Sequence, residues 1–367
     1  VRDIVRRVGQ RIAIGFEGHT ASADAKALVR EFGVGTIILF ARNVAGPEQV
    51  AELVRELQET ARDAGHDRPL LVAVDQEGGR VARMKEPWTA WPAARAVGRA
   101  GSEEMACRLG GAIAAELKPC GVSVDFAPCV DVDTNPKNPV IGDRSFGDDP
   151  ELVGRMGAAT IQGLQDGGLA ACAKHFPGHG DTSVDSHLDL PAVDHSRGRL
   201  QDVELRPFRK AIETGVAMVM SAHLLVRELD DALPATLSPG IVGGLLRKEL
   251  GFGGVAVTDD LDMQGVAKHW TPAQLSVMAA RAGCDLLCFC RSHDAQVEGS
   301  EGLIRAVEAD EIPFQQTEAA EKRVRALKDR FLLGYRDPDP KQARLAAGRG
   351  DHRALADEIA ARSGSPA

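Results

Sequence analysis

Eight short apolar segments punctuate the chain: Arg11 to Phe16, Gly35 to Phe40, Leu70 to Val74, Val122 to Ala127, Leu169 to Ala173, Val216 to Ala222, Gly254 to Val257 and Asp285 to Phe289. All are of strand length and read as buried strands. Between them, Gln49 to Ala64, Ser102 to Leu117, Pro150 to Asp166, Leu200 to Glu213 and Gln274 to Ala282 carry apolar residues at helical spacing. Ser102 followed by Glu103 and Glu104 suits a helix start, where acidic side chains complement the amino-terminal dipole. Repeated strand and helix alternation predicts a parallel sheet, and eight alternations in about 300 residues predict a (β/α)8 barrel of the TIM type. No Gly-x-Gly-x-x-Gly opens a helix after the first strand, which disfavours a dinucleotide-binding open sheet. Beyond Tyr335 the sequence turns polar and proline-containing, so residues 1–335 are expected to form the barrel domain. Residues 336–367 then form an extension, a linker followed by a short amphipathic helix over His352 to Ser363.

Composition narrows the functional classes. The 367 residues are 44% hydrophobic and 26% charged, an ordinary globular balance. A net charge of -9 with no Lys/Arg stripe argues against a nucleic-acid surface. No apolar run approaches the roughly 20 residues that cross a bilayer, and the first ten residues lack the apolar core of a secretory signal. A cytoplasmic location is therefore expected. Seven cysteines, at 107, 120, 129, 172, 284, 288 and 290, show no zinc-ribbon or Cys-x-x-Cys spacing and read as buried reduced thiols. Cys288 and Cys290 share one face of a predicted strand.

The ends of the predicted strands carry the chemistry. In order they present Glu17 and His19; Arg42 and Asn43; Asp75, Glu77, Arg80 and Arg83; Asp131 and Arg144; Lys174 to His187; His223; and Asp259, Asp260 and Asp262. In a barrel of this kind such residues gather at one mouth whatever their separation in sequence. Lys174 to His187, KHFPGHGDTSVDSH, is the densest stretch, and Pro177, Gly178 and Gly180 place its polar part on a loop. Arginines and a lysine among carboxylates suit a polyhydroxylated or anionic ligand. His187 follows Asp185 by two residues, close enough for the carboxylate to hold one ring nitrogen and raise the basicity of the other. Asp259 is the nucleophile candidate. Plainer roles stay open: Asp185 and His187 as a loop brace, Asp259 or Asp260 at a helix start, Arg144 in a loop-bracing ion pair, His223 as a core histidine. A metal site built from His175, His179, Asp181, Asp185 and His187 is disfavoured. The first strand lacks the His-x-His that fixes a metal in barrel hydrolases, and no metal or cofactor is expected.

Five ordered motifs carry a resemblance: LLVAVDQEGGRVARM (70–84), VIGDRSFGDDP (140–150), AKHFPGHGDTSVDSH (173–187), VMSAHL (219–224) and GFGGVAVTDDLDM (251–263). Together they resemble glycoside hydrolase family 3, in particular its β-N-acetylglucosaminidase branch, over residues 10 to about 335. The resemblance implies a retaining exo-glycosidase with Asp259 as nucleophile and Asp185 with His187 as acid/base pair. It further implies sugar binding by Asp75, Arg83, Arg144, Lys174 and His175, and a mobile loop hinged at Gly178 and Gly180. Its implied substrates are N-acetylglucosamine-containing oligosaccharides or muropeptides, handled in cytosolic cell-wall recycling by a monomer or weak dimer. Phosphorolysis, with phosphate replacing water, another family 3 β-glycosidase activity, and a non-catalytic sugar sensor are the rival readings. The ending HRALADEIAARS resembles the helix that leads into a second domain in larger members.

Overall fold

The computed structural model describes residues 2–186 and 188–364. Eight parallel strands close on themselves: β1 (Ile12–Ile14), β2 (Thr36–Leu39), β3 (Leu71–Val74), β4 (Val124–Asp125), β5 (Ala170–Phe176), β6 (Met218–Ser221), β7 (Val255–Asp260) and β8 (Leu286–Phe289). Neighbours in sequence are neighbours in the sheet, and β1 completes the ring by pairing with β8, Ala13 opposite Cys288. Each expected strand is found, so the (β/α)8 architecture is the one observed. Among the described residues, no helix is long and apolar enough to cross a membrane.

Side chains alternate across each strand, and this alternation sorts the core into two layers. Ile12, Ile14, Ile37, Leu39, Val72, Val74, Leu287 and Phe289 point outward and pack under the helices. Ala13, Ile38, Ala73, Ala170, Cys172, Met218, Met220, Val257 and Cys288 fill the lumen. The helix Phe314–Phe331 closes one end of the lumen, contributing Val324 and Leu327 to the same cluster. The opposite end, where the strands finish, stays open. Positions two residues on from the lumen set land in that opening: Asp75 after Ala73, Lys174 after Cys172, and Asp259 after Val257.

Several elements differ from their predicted form. The stretch expected as one helix over Leu200 to Glu213 is two, Arg197–Asp202 and Leu205–Glu213. Pro207 has no N–H to give the carbonyl of Val203, and the helix breaks there. β5 runs three residues beyond its predicted end, carrying Lys174 and His175 within the strand instead of on the loop, while a register shift lets Phe176 pair with Ser221. β7 likewise continues through Asp259 and Asp260, so neither aspartate starts a helix. A small antiparallel pair, Gln76–Gly78 with Val81–Ala82, follows β3 and was not foreseen.

The extension lies against the barrel. Pro340–Ala346, expected within a linker, is a helix capped by the Asp339 carboxylate and packed on the helix Pro47–Asp63. Gly350–Ser363 lies on Ala94–Ala100 and Glu103–Leu117, with Leu355 and Ile359 buried in the outer core. Its polar anchor is Glu116, a buried carboxylate that accepts from His352 Nδ1 (2.8 Å), Gly348 N (3.2 Å), Thr89 Oγ1 (2.6 Å) and Thr89 N (3.0 Å). Removing one partner of such a buried set strands the others. Glu116→Ala is expected to lower the unfolding free energy by about 3 kcal/mol in a urea titration and to expose the segment after residue 348 to proteolysis.

Candidate active site

The open end of the barrel holds a cavity of about 510 Å³. Asp75, Arg83, Arg144, Lys174, His175, Asp185 and Asp259 all line it, so seven of the eight residues singled out from sequence meet in one place. The eighth, His187, lies outside the described residues. Two carboxylates that the sequence reading left among strand-end residues, Glu77 and Asp131, prove to organise the cavity wall.

Lys174 is 2% exposed and sits between two acids, its Nζ 2.9 Å from Asp75 Oδ1 and 2.6 Å from Glu77 Oε1. Arg144 grips Glu77 with both prongs of its guanidinium, Nε to Oε2 at 2.9 Å and Nη2 to Oε1 at 2.8 Å. Arg83 adds a third cation, Nη2 to Asp75 Oδ2 at 3.3 Å. Burial penalises the charged form of all these groups, yet the opposite charges outweigh it. Asp75 and Glu77 are held below the ordinary carboxylate range, and Lys174 and Arg144 stay protonated above theirs. The bond from Arg144 makes the loop-bracing and ligand-facing readings compatible: one edge braces Glu77 and the same side chain lines the cavity.

Asp131 extends the network. Its carboxylate accepts from His175 Nδ1 (2.7 Å), from the His175 backbone N–H (3.2 Å), from the His179 backbone N–H (2.6 Å) and from the Cys129 thiol (3.2 Å). Burial would raise its pKa, but these donors hold it down to about 2. Since Arg144 Nη2 donates to His175 Nε2 at 3.2 Å, the imidazole keeps its proton on Nδ1, toward Asp131. Cys129, Asp131 and His175 are the group of possible metal ligands that the described residues bring together, with donor atoms within 4.8 Å. Their chemistry does not suit a cation: the donors already bond one another, burial holds the Cys129 thiol protonated, and the Arg144 guanidinium stands beside the imidazole.

Across the cavity, Asp259 Oδ1 accepts the backbone N–H of Asp260 at 2.8 Å. Asp260 Oδ1 in turn accepts from Asp262 N (3.0 Å) and Cys290 N (3.1 Å), tying the ends of β7 and β8 together. His223 is fully buried and braces the same strand end, with Nε2 2.9 Å from the Asp260 carbonyl and Nδ1 3.0 Å from Thr236 Oγ1. That is the core-histidine role. Cys288 on β8 and Cys290 just beyond its end line the cavity, their thiols kept neutral by burial.

The two glycines of the loop after β5 have different local surroundings. Gly178 has φ +130°, a conformation that favours glycine, but Gly180 is needed for close approach: a Cβ there would lie 1.7 Å from the Val132 carbonyl oxygen. Gly180 is thus a close packing contact of the loop with Val132.

Against known proteins, the family description "Glycosyl hydrolase family 3 N terminal domain" matches residues 4–327. Beta-hexosaminidase A of Pseudoalteromonas piscicida is 34% identical over 391 aligned residues, covering 96% of this chain and 65% of that protein. A family 3 β-N-acetylglucosaminidase from Paenibacillus sp. str. FPU-7 superposes with a TM-score of 0.91 at 40% identity, covering 98% of this chain and 68% of that one. Native NagZ from Neisseria gonorrhoeae gives a TM-score of 0.80 at 30% identity, covering 97% and 98%. The chain thus spans about two thirds of the first two relatives and nearly all of the third. These matches agree with the glycoside hydrolase expected from the motifs.

Two outcomes follow from the electrostatics. Lys174→Met leaves Asp75 and Glu77 facing each other in a buried site, and is expected to lower the unfolding free energy by about 3–5 kcal/mol in denaturant titration. Asp260 is pushed up to about 7, first by burial and then by Asp262 and Asp259. The folded protein therefore holds this proton to higher pH than the unfolded chain does, and stability declines as pH rises from about 4 to about 7. Asp260→Asn removes that decline. Relative to wild type it should gain about 2–4 kcal/mol in unfolding free energy between pH 5 and pH 8, measured by urea titration at each pH.

Proposed function

This chain belongs to glycosyl hydrolase family 3, and from that premise we propose that it is a retaining exo-β-N-acetylglucosaminidase that removes terminal N-acetylglucosamine from peptidoglycan fragments or chitooligosaccharides. The observation that carries the proposal is the placement of Asp259 in the same cavity as the Asp75, Lys174, Arg144 and His175 cluster. A pyranose between them would present its hydroxyls to the charged cluster and its anomeric carbon to a carboxylate. The names of the relatives support an N-acetylglucosamine-type sugar.

In this reading the wall residues bind and orient. Asp75 accepts hydrogen bonds from sugar hydroxyls, Lys174, Arg144 and Arg83 belong to the donor side, and His175, its ring engaged by Asp131 and Arg144, borders the sugar and orients Arg144. Arg83 Nε is buried with no hydrogen-bond partner among the described residues. Asp259 attacks the anomeric carbon as the bond to the leaving oxygen breaks, giving a glycosyl ester. The leaving oxygen takes its proton from His187, polarised by Asp185, and the same pair then removes a proton from water as the ester is hydrolysed. The developing oxocarbenium charge is stabilised by the Asp259 carboxylate beneath the ring.

A cytoplasmic role in cell-wall turnover is part of the same proposal. Asp259→Ala is expected to reduce release of phenol from an aryl N-acetyl-β-glucosaminide by more than about 1000-fold; undiminished turnover excludes Asp259 as nucleophile. An aryl glycoside with a 2-hydroxyl in place of the 2-acetamido group should be turned over far more slowly, and equal rates would contradict the sugar assignment. Sugar 1-phosphate formed in phosphate buffer would convert the reading from hydrolysis to phosphorolysis.

A further inference from the structure

His179 has no part in the chemistry above, yet it is 2% exposed and bonded at every polar atom. Its backbone N–H donates to Asp131, the carboxylate that orients His175. The His179 carbonyl accepts from Asn138 Nδ2 at 2.8 Å and from Thr182 Oγ1 at 3.2 Å. On the ring, Nδ1 lies 2.8 Å from Thr182 Oγ1, and Nε2 lies 3.2 Å from Ser186 Oγ. Ser186 is itself buried and stands between Asp185 and His187 in sequence.

Burial lowers the His179 pKa to about 4, so at neutral pH the ring carries one donor and one acceptor. The Thr182 hydroxyl has one proton, shared between the His179 carbonyl and Nδ1; in either tautomer the ring is bonded to Thr182 through Nδ1 and to the Ser186 hydroxyl through Nε2. Ser186 is also held from the opposite side. Its carbonyl accepts the N–H of Gly265 at 3.1 Å, six residues beyond Asp259, and a Cβ on Gly265 would come within 2.8 Å of that oxygen. Three residues after Gly265, Lys268 Nζ donates to the Leu188 carbonyl at 2.6 Å. The segment around Asp185 is therefore pinned to the sugar-facing wall through His179 and to the strand end of Asp259 through Gly265.

We propose that His179 is a positioning residue for proton transfer: its ring holds Ser186, the residue next to Asp185, while its backbone N–H is fixed by the Asp131 carboxylate that sets His175 in the sugar pocket. The inference rests on the acid/base role proposed for Asp185 and His187. Loss of the tie weakens delivery of the proton while leaving sugar binding and nucleophilic attack in place. That pattern separates a positioning role from general damage, because a leaving group that departs without protonation does not need the acid.

The test compares aryl N-acetyl-β-glucosaminides with poor (phenol) and activated (2,4-dinitrophenol) leaving groups, using His179→Ala, His179→Gln, Ser186→Ala, Asp185→Ala and His187→Ala. For His179→Ala, kcat/KM on the phenyl substrate is expected to fall about 100-fold, and on the dinitrophenyl substrate less than about 3-fold. His179→Gln should recover part of the loss. Ser186→Ala, a small change that spares the buried ring, should show the same selectivity at about 10-fold. Equal losses on both substrates, or wild-type kinetics for Ser186→Ala and His179→Gln, overturn the inference. If Asp185→Ala and His187→Ala show the leaving-group dependence and the His179 and Ser186 variants do not, the acid/base reading stands and this inference alone fails. If none of the five shows it, both fail.

Discussion

A lysine ammonium buried between two carboxylates is the constraint around which this molecule is arranged. Lys174 is out of water at the end of a barrel strand, and such a charge is tolerated only if partners replace its hydration. Asp75 and Glu77 do so from the end of the third strand and the small antiparallel pair that follows it. Those carboxylates then need more positive charge, which Arg83 and Arg144 bring from the end of that pair and from the loop after the fourth strand. Arg144 in turn meets His175, and His175 is fixed by Asp131. Each member is bonded because its neighbour would otherwise be stranded.

Such a network is an indirect way to gain stability, since an apolar core of the same volume serves as well or better. What it does supply is orientation. Three carboxylates, Asp75, Glu77 and Asp131, are balanced by Lys174, Arg83 and Arg144, so the wall carries many directed donors and acceptors with little net charge. A sugar entering the cavity meets groups already positioned by one another, and Asp259 faces them from a strand end braced by His223 and by the Asp260 contacts to the eighth strand. Fixed polar groups of this kind act on a developing charge without having to reorganise first.

The barrel was legible because its determinants are local. Strand-length apolar runs separated by helical patterns recur eight times, and the period of two within a strand places Asp75, Lys174 and Asp259 on the lumen side along with Ala73, Cys172 and Val257. The breaks were less visible. The interruption at Val203 depends on a proline three residues into the next helix, and the continuation of the fifth strand through Lys174 and His175 depends on partners in the sixth strand and at Cys129. The close approach of the Val132 carbonyl to Gly180, which leaves no room for a Cβ, was likewise not visible in the sequence.

By itself the amino-acid sequence determined the fold class, the face of the barrel that bears the chemistry, and which charged residues are gathered there, since all three follow from periodicity and from the order of strand ends. Only the tertiary structure decided how those residues are paired. Glu77 is separated from Arg144 by 67 positions, Asp131 from His175 by 44 and from His179 by 48, and no local pattern relates them. Ion pairing and hydrogen bonding depend on distances of about 3 Å in space, which closure of the sheet creates and chain separation does not encode. The tie from His179 to Ser186 belongs to the same class: near in sequence, but given its meaning by a carboxylate and a glycine that the barrel brings to either side of the loop.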